Sequence, residues 1–359
     1  MTLVKYGWNE TWERQFEPFR DKGLEPGRVV LEHKRMYRVI TQHGELLSEL
    51  SGKLRYEAEE REQLPAVGDW VAVAARPAEG RATIHALLPR KSKFSRKSAG
   101  VETTEQIVAA NVDTVFLVNA MNQDFNMRRL ERYLVLAWES GANPVIVLSK
   151  ADLCDDVDAM IAQAESIGMG VPVHAVSVEA QSGIDELLPY VSAGNTVALL
   201  GSSGVGKSSL VNTLLGVEAQ KVSGIREADG RGRHTTTHRE LLTVPGGGIV
   251  VDTPGMREIQ MWEASEGLSE SFEDIESLAG RCQFADCSHN REPNCAVRKA
   301  VEAGELEEGR LANYRKLLSE LAYLARKEEA KVKLQEKKSN KKKSQHSTTI
   351  KHRSHEVNL

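Results

Sequence analysis

Eight consecutive residues, Gly201-Ser202-Ser203-Gly204-Val205-Gly206-Lys207-Ser208, fit the pattern G-x-x-x-x-G-K-[ST]. Glycines in such a run let the backbone turn its N–H groups inward around a phosphate, and the helix that follows presents its positive end. Lys207 is placed to reach the β- and γ-phosphates and Ser208 to bind Mg²⁺, with Ser209 directly behind them in the nucleotide-contacting set. The context is the required one. An apolar strand-like run, Val197 to Leu200, precedes the loop, and apolar residues at helical spacing (Leu210, Val211, Leu214, Leu215) follow it.

Two further segments supply the rest of a triphosphate site. Val250-Val251-Asp252-Thr253-Pro254-Gly255 closes a strand with D-T-P-G. Asp252 would hold Mg²⁺, directly or through water, and the Gly255 N–H would meet the γ-phosphate. Upstream, Arg233-His234-Thr235-Thr236-Thr237 lies in a Gly-rich polar stretch. A threonine there can complete the Mg²⁺ shell and order its loop only when triphosphate is bound. Thr236 is chosen, although three successive threonines leave the register open.

The base is read elsewhere. Leu148-Ser149-Lys150-Ala151-Asp152 ends another strand and is similar to the guanine-reading pattern N/T-K-x-D. The Asp152 carboxylate would accept from guanine N1–H and from its exocyclic amine. Adenine offers neither donor there and would leave the carboxylate unpaired, which discriminates against ATP. Lys150 would lie along the base plane, and Ser177 in Val176-Ser177-Val178 would line the base. Ser149 stands where asparagine is usual, which predicts a weaker bracing hydrogen bond. The order is unusual. GTPases generally run phosphate loop, threonine switch, D-x-x-G, guanine motif and serine loop; here the last two come first. Circular permutation allows this on one sheet, because the termini of compact domains often lie close together.

A separate constellation has metal chemistry. Cys282-x₄-Cys287-x-His289-x₅-Cys295 offers three thiolates and one imidazole, a full tetrahedral set for zinc with no position left for a substrate water. One structural zinc per chain is expected. Cys154 lies far off in sequence and reads as a plain thiol.

These residues need elements to hold them. The chain has 359 residues and a net charge of −4, so as a whole it is not a basic nucleic-acid binder. No long apolar run predicts a membrane span, and no signal peptide pattern opens the chain. A cytoplasmic monomer is expected. Residues 1–25 form an amphipathic lead with Trp8, Trp12, Phe16 and Phe19, expected to pack on the next domain. Residues 26–98 hold five short strand-like runs and predict a small β-barrel. Basic residues are dense there and just beyond (Lys53, Arg55, Arg90, Lys91 and Lys93 among them), and Tyr37 and Tyr56 are candidates to stack on RNA bases. In residues 99–264 apolar strands alternate with helical spacers, predicting an α/β domain with a parallel sheet covered on both faces. Residues 265–330 read as helical around the Cys/His cluster, and 331–359 as a Lys-rich disordered tail.

At this point the chain resembles the RsgA (EngC) family of bacterial GTPases that assist late maturation of the small ribosomal subunit. The resemblance spans about residues 26–325. It rests on the permuted order, on Gly201–Ser208, Arg233-His234-Thr235-Thr236-Thr237 and Asp252-Thr253-Pro254-Gly255, and on Cys282, Cys287-Ser288-His289 and Glu292-Pro293-Asn294-Cys295. It implies an OB-fold barrel, a permuted P-loop GTPase core and a helical zinc domain. It also implies GTP and Mg²⁺ as ligands, the small subunit and its rRNA as partners, and hydrolysis stimulated by the subunit. The residue after D-x-x-G, where many GTPases carry a water-orienting glutamine, is Met256, whose side chain cannot hydrogen-bond a nucleophile. His234 matches the family's hydrolysis histidine and is the candidate to position water, with Lys207 and Thr236 completing the catalytic set. Two other readings are an RNA-binding scaffold that uses GTP structurally, and an ATP-dependent P-loop kinase. Intact Lys207, Ser208 and Asp252 oppose the first, and Lys150 with Asp152 the second.

Overall fold

Alternating apolar residues make the N-terminal strands, and their closure makes a barrel. The computed structural model describes residues 3–33, 36–58, 60–97, 105–122, 125–168, 170–216, 239–252 and 265–326, with the backbone alone at 96, 97, 105, 239, 252, 265 and 266. Strands β1 (Glu25–His33), β2 (Met36–Thr41), β3 (Gly44–Leu50), β4 (Trp70–Arg76) and β5 (Arg81–Leu87) run in the order β1-β2-β3-β5-β4, and β4 returns to β1. On β3, Leu46, Ser48 and Leu50 point inward while Glu45, Leu47 and Glu49 do not, the period-two pattern of a half-buried strand. Val29, Tyr37, Val39, Leu46, Val71, Val73 and Ile84 fill the interior. Helix α1 (Gly52–Glu57) lies between β3 and β4 in the chain and is capped by Ser51, whose hydroxyl accepts from the Leu54 N–H.

Two sequence expectations change here. Tyr37 is 3% exposed and belongs to the barrel core, so it cannot stack on a base; Tyr56 on α1 is 91% exposed. Arg90 turns inward rather than toward solvent. Its guanidinium makes a two-pronged pair with the buried Asp69 at 2.7–2.8 Å and donates to the carbonyls of Glu62 and Leu64. The lead behaves as its aromatic spacing suggests. Its helix, Glu10–Arg20, is capped by Asn9, buries Trp12 and Phe16, and sets Trp8 and Trp12 against the Trp70 ring at 4.8 and 6.1 Å.

A hairpin of β6 (Lys93–Lys97) and β7 (Glu105–Ala110) leads into an α/β layer. Its strands are β8 (Thr114–Ala120), β9 (Asn143–Ser149), β10 (Val173–Val176), β11 (Thr196–Leu200), β12 (Arg239–Thr243) and β13 (Ile249–Asp252). β10-β9-β8-β11-β13 are parallel neighbours, and β8 and β11 are wholly buried, as a sheet covered on both faces requires. Helix α2 (Met127–Ser140) follows β8, α3 (Val157–Glu165) follows β9, and α4 (Lys207–Leu214) follows the phosphate loop. A further helix, α5 (Ser265–Ser271), packs on α2.

The sheet does not stop at the α/β layer. β12 pairs antiparallel with β13 on one side and with barrel strand β1 on the other, so barrel and layer share one eleven-stranded sheet. The alternation of strand and helix predicted a parallel sheet; it held no sign of this antiparallel continuation. Arg28 of β1 ties the same junction. Fully buried beside the Trp70 ring, it donates to Gly68 O at 3.2 Å, Asn111 O at 3.3 Å, Thr196 Oγ1 at 2.9 Å and Tyr6 O. Burial pushes its guanidinium down to about 10, against the opposing charges of Asp113 and Asp69, so it remains a cation at neutral pH.

The chain divides into two compact units, residues 1–260 with 265–271, and residues 261–264 with 272 onward. In the second, α6 (Glu273–Ala279), α7 (Ala296–Glu302) and a helix over 308–326 enclose Phe272, Ile275, Val297, Leu311, Tyr314 and Leu317. Arg310 lies over the Phe272 ring at 4.6 Å and makes a two-pronged pair with Asp274 at 2.7 Å, while the Tyr314 hydroxyl donates to Glu276 at 2.7 Å. Among the described residues no helix is long and apolar enough to cross a membrane.

Candidate functional site

The parallel strands all deliver their carboxyl ends to one edge. Register places Ala120 beside Ser149, Ser149 beside Val176, and Leu117 beside Leu200. Ligands of open α/β sheets bind at this edge, in the crevice past the strand ends. The phosphate loop, the Ser149–Asp152 segment and Ser177 therefore meet there, and the backbone of Asp252 ends β13, the neighbour of β11. The Asp252 side chain and the calls on Thr236, His234, Gly255 and Met256 lie outside the described residues, as does the tail 331–359.

The phosphate loop shows the geometry its glycines permit. Gly204 and Gly206 have φ of +81° and +91°, a left-handed backbone that side-chain-bearing residues rarely adopt. A Cβ on Gly201 would collide with the Val118 carbonyl of β8. Lys207 Nζ donates to Gly201 O and Ser202 O, both at 2.6 Å, which holds the ammonium beside the loop it must serve. Ser203, Gly204, Ser208 and Ser209 are exposed, while Val205 is buried in the core beneath.

The guanine-reading segment is built by a tight turn. Lys150 sits at φ +60° and starts a short 3-10 turn, Ala151–Leu153, that presents Asp152. The Ser177 hydroxyl donates to Asp152 Oδ1 and accepts from the Ala180 N–H at 3.0 Å. Ser177 also exchanges two 3.0 Å backbone hydrogen bonds with Ser182, which closes the serine loop as a small hairpin. Ser149 makes its brace through the hydroxyl. Its hydroxyl lies 2.6 Å from Val205 O in the phosphate loop and 3.2 Å from Asn119 O, and the single proton goes to the nearer acceptor. The brace expected to be weaker is a short, buried hydrogen bond.

The metal-ligating set assembles in the second unit. The ligand atoms of Cys282, Cys287, His289 and Cys295 all lie within 4.8 Å of one another. Cys282 Sγ and Cys295 Sγ are 3.8 Å apart, and His289 Nδ1 is 3.6 and 3.5 Å from them. Two Zn–S bonds of about 2.3 Å at the tetrahedral angle put sulfurs about 3.8 Å apart, and a Zn–N bond of about 2.0–2.1 Å puts nitrogen about 3.5 Å from sulfur. These three donors therefore stand at tetrahedral zinc spacing, with Cys287 Sγ within 4.8 Å of them as the fourth. The loop carrying Cys287 and His289 is held by Glu292, which accepts from the N–H groups of Ser288, Asn290 and Arg291 at 3.1, 2.8 and 3.0 Å and from the Ser288 hydroxyl. These bonds, the Ser288 hydroxyl foremost, pull its carboxyl down to about 2.

Sequence reasoning missed three residues. Glu292 was part of a matched motif without a role. Arg28 carried no local signal. Arg129 of α2 donates from Nη1 to Ser202 Oγ at 2.7 Å, and a trace of this was readable: two arginines, Arg128 and Arg129, open a helix whose first turn has no acidic residue.

Comparison with known proteins places the chain in a family. Residues 87–262 match the family described as RsgA GTPase. A small ribosomal subunit biogenesis GTPase RsgA of Opitutus terrae is 47% identical over 335 residues, 91% of each chain. A small ribosomal subunit biogenesis GTPase RsgA 1 of Oceanobacillus iheyensis is 48% identical over 316 residues, 88% of this chain and 90% of that one. The crystal structure of YjeQ from Thermotoga maritima superposes with a TM-score of 0.64 at 32% identity, covering 83% of this chain and 99% of that one. The crystal structure of YloQ, a circularly permuted GTPase, gives a TM-score of 0.59 at 26% identity, covering 83% and 95%. On these matches, this chain belongs to the RsgA GTPase family and is a GTP-hydrolysing enzyme.

Proposed function

We propose that this GTPase binds the small ribosomal subunit through its rRNA, assists late maturation of the particle, and hydrolyses GTP faster when bound to it. The observation that carries the nucleotide half is the Ser149–Val205 hydrogen bond, which joins the Asp152 base-reading turn to the phosphate loop. Lys207 holds the phosphates, and Ser208 with Asp252 holds Mg²⁺. That ion would offset negative charge developing on the phosphates. Thr236 would complete its shell, and His234 would orient the water that Met256 cannot. The Cys282, Cys287, His289 and Cys295 set holds one zinc that fixes its loops.

The ribosomal half rests on the names carried by the relatives and on the barrel. Lys53, Arg55 and Tyr56 are exposed on α1, where Lys53 pairs with Glu57 at 3.7 Å and Tyr56 offers one open aromatic face. β12 is the first strand after the segment with His234 and Thr236, and it is hydrogen-bonded to barrel strand β1. A force on the barrel therefore reaches the strand that anchors the switch. The protein acts as a monomer in the cytoplasm.

The test measures GTP and ATP turnover by the full chain, with and without purified small subunits. GTP-selective hydrolysis that rises severalfold with subunits supports the reading. Equal use of ATP, or no response to subunits, overturns it. A scaffold role predicts retained GTP without turnover under either condition.

A further inference from the structure

We propose that Arg129 is a positioning residue for GTP hydrolysis, holding the start of the phosphate loop through the Ser202 hydroxyl. The inference rests on the GTPase reading and adds to it a residue that lies outside every GTPase motif of the chain.

Helix physics makes the placement unusual. Arg128 and Arg129 occupy the second and third positions of α2, whose first turn carries no acidic residue. The N-terminal end of a helix bears partial positive charge and disfavours cations. Arg128 is compensated within the helix, by the fully buried Glu131 at 3.0 Å. Arg129 reaches 73 residues along the chain to Ser202, at 2.7 Å. Its guanidinium thereby meets the phosphate loop from an element that carries no GTPase motif.

Ser202 is then held twice. Its hydroxyl accepts from Arg129, and its carbonyl accepts from Lys207 Nζ at 2.6 Å. Two cations from different elements grip one residue of the loop. Donors set in place beforehand need no reorganisation when charge develops in the transition state, which is where such groups contribute most. The other half of α2 is locked as well. Gly267 of α5 donates its N–H to Glu139 Oε2 at 3.3 Å, and a Cβ at Gly267 would lie 2.5 Å from Val135 O, so only glycine lets the two helices approach this closely. Helix α2 is thereby a fixed strut, clamped by α5 toward its end and carrying Arg129 at its start.

The experiment uses the full chain and four variants: Arg129→Ala, Arg129→Lys, Ser202→Ala and the double Arg129→Ala/Ser202→Ala. Single-turnover GTP hydrolysis is measured without and with small subunits, beside the affinities for a fluorescent GDP and a non-hydrolysable GTP analogue. Arg129→Ala should slow hydrolysis by about tenfold or more while GDP affinity changes by less than about threefold. Ser202→Ala should reproduce part of that loss, and the double variant should be no slower than Arg129→Ala, because both remove one interaction. Arg129→Lys should fall between, since lysine keeps the charge and loses the planar fork. If Arg129→Ala fails to fold, Arg129→Lys and Ser202→Ala decide the matter. Unchanged hydrolysis, additive losses, or equal loss of rate and GDP affinity would overturn the proposal. A wild-type chain that turns over no GTP in either condition sinks the functional reading and the positioning role with it. Wild-type turnover with unaltered variants sinks the positioning role alone.

Discussion

The hydroxyl of Ser149 donates to the carbonyl of Val205 at 2.6 Å, across 56 residues of sequence. The strand end that reads the base is thus bonded to the loop that holds the phosphates. The two halves of the candidate nucleotide pocket are thereby set relative to each other. Ser149→Ala leaves a buried carbonyl without its partner, at about 1–1.5 kcal/mol. GTP and GDP affinities should therefore drop together by about five- to tenfold in a fluorescent-nucleotide titration. Asparagine at this position offers an N–H to the same carbonyl and should keep wild-type affinity. Unaltered binding by the alanine variant would mean that the brace contributes nothing.

On the proposed reading, Asp152 selects the base. Its carboxylate is steadied by the Ser177 hydroxyl on one oxygen. Asp152→Asn replaces an acceptor with a donor, which suits xanthine, whose C2 substituent is an oxygen instead of an amine. Competition binding should show GTP weakened by about 100-fold or more and xanthosine triphosphate preferred. A variant that still favours GTP would remove Asp152 from base reading.

His234 lies outside the described residues, so its prediction stands on sequence. His234→Ala should lower turnover by about 100-fold, in the range of one lost proton-handling or water-orienting group. Nucleotide affinity should stay within about threefold of wild type, because the group acts on the water rather than on the phosphates. Parallel loss of both would assign the residue to loop structure.

Glu292 should matter to a metal it does not touch. Metal analysis of freshly purified protein should find one zinc per chain. Glu292→Ala releases the turn that carries Cys287 and His289, and zinc affinity should fall by about 10–100-fold in a chelator competition. The depressed carboxyl also sets a pH window. Its folded value near 2 lies below the unfolded one near 4.5, so its contribution is complete above pH 4.5 and is lost as pH falls toward 2. Glu292→Gln should flatten that acid-side loss in urea-melt midpoints. An unchanged zinc affinity in the alanine variant would reduce the residue to a surface contact.

Arg28 joins the lead, the barrel and β11 through four acceptors. Arg28→Met keeps much of the volume and removes the donor to Tyr6 O, Asn111 O and Thr196 Oγ1, while Gly68 O keeps a bond from Asn111 Nδ2. Stability of the first unit should fall by about 3 kcal/mol or more, read as a lower denaturant midpoint with little change in slope. A midpoint within error of wild type would show that water replaces the guanidinium at no cost.

Much of the site was legible because its chemistry is local. A phosphate loop needs eight contiguous residues with glycine where φ turns positive, and the four zinc ligands fall within one short loop region, between Cys282 and Cys295. Strand and helix periods placed β8, β9, β10, β11 and β13 and the helix after β8. β12, the β6–β7 hairpin and the α3 helix gave weaker patterns, being short or interrupted, and went unread.

What the sequence by itself determined is the set of chemical groups and their local conformations, since a turn, a cap or a ligand spacing depends on near neighbours. The tertiary structure alone decided which groups meet. Sheet order brings Val205 to Ser149, Ser202 to Arg129 and Thr196 to Arg28, and it turns Tyr37 and Arg90 inward while Tyr56 stays open. Those outcomes follow from strand pairing and burial between distant segments, whose free energy is shared over the whole core and is written at no single position.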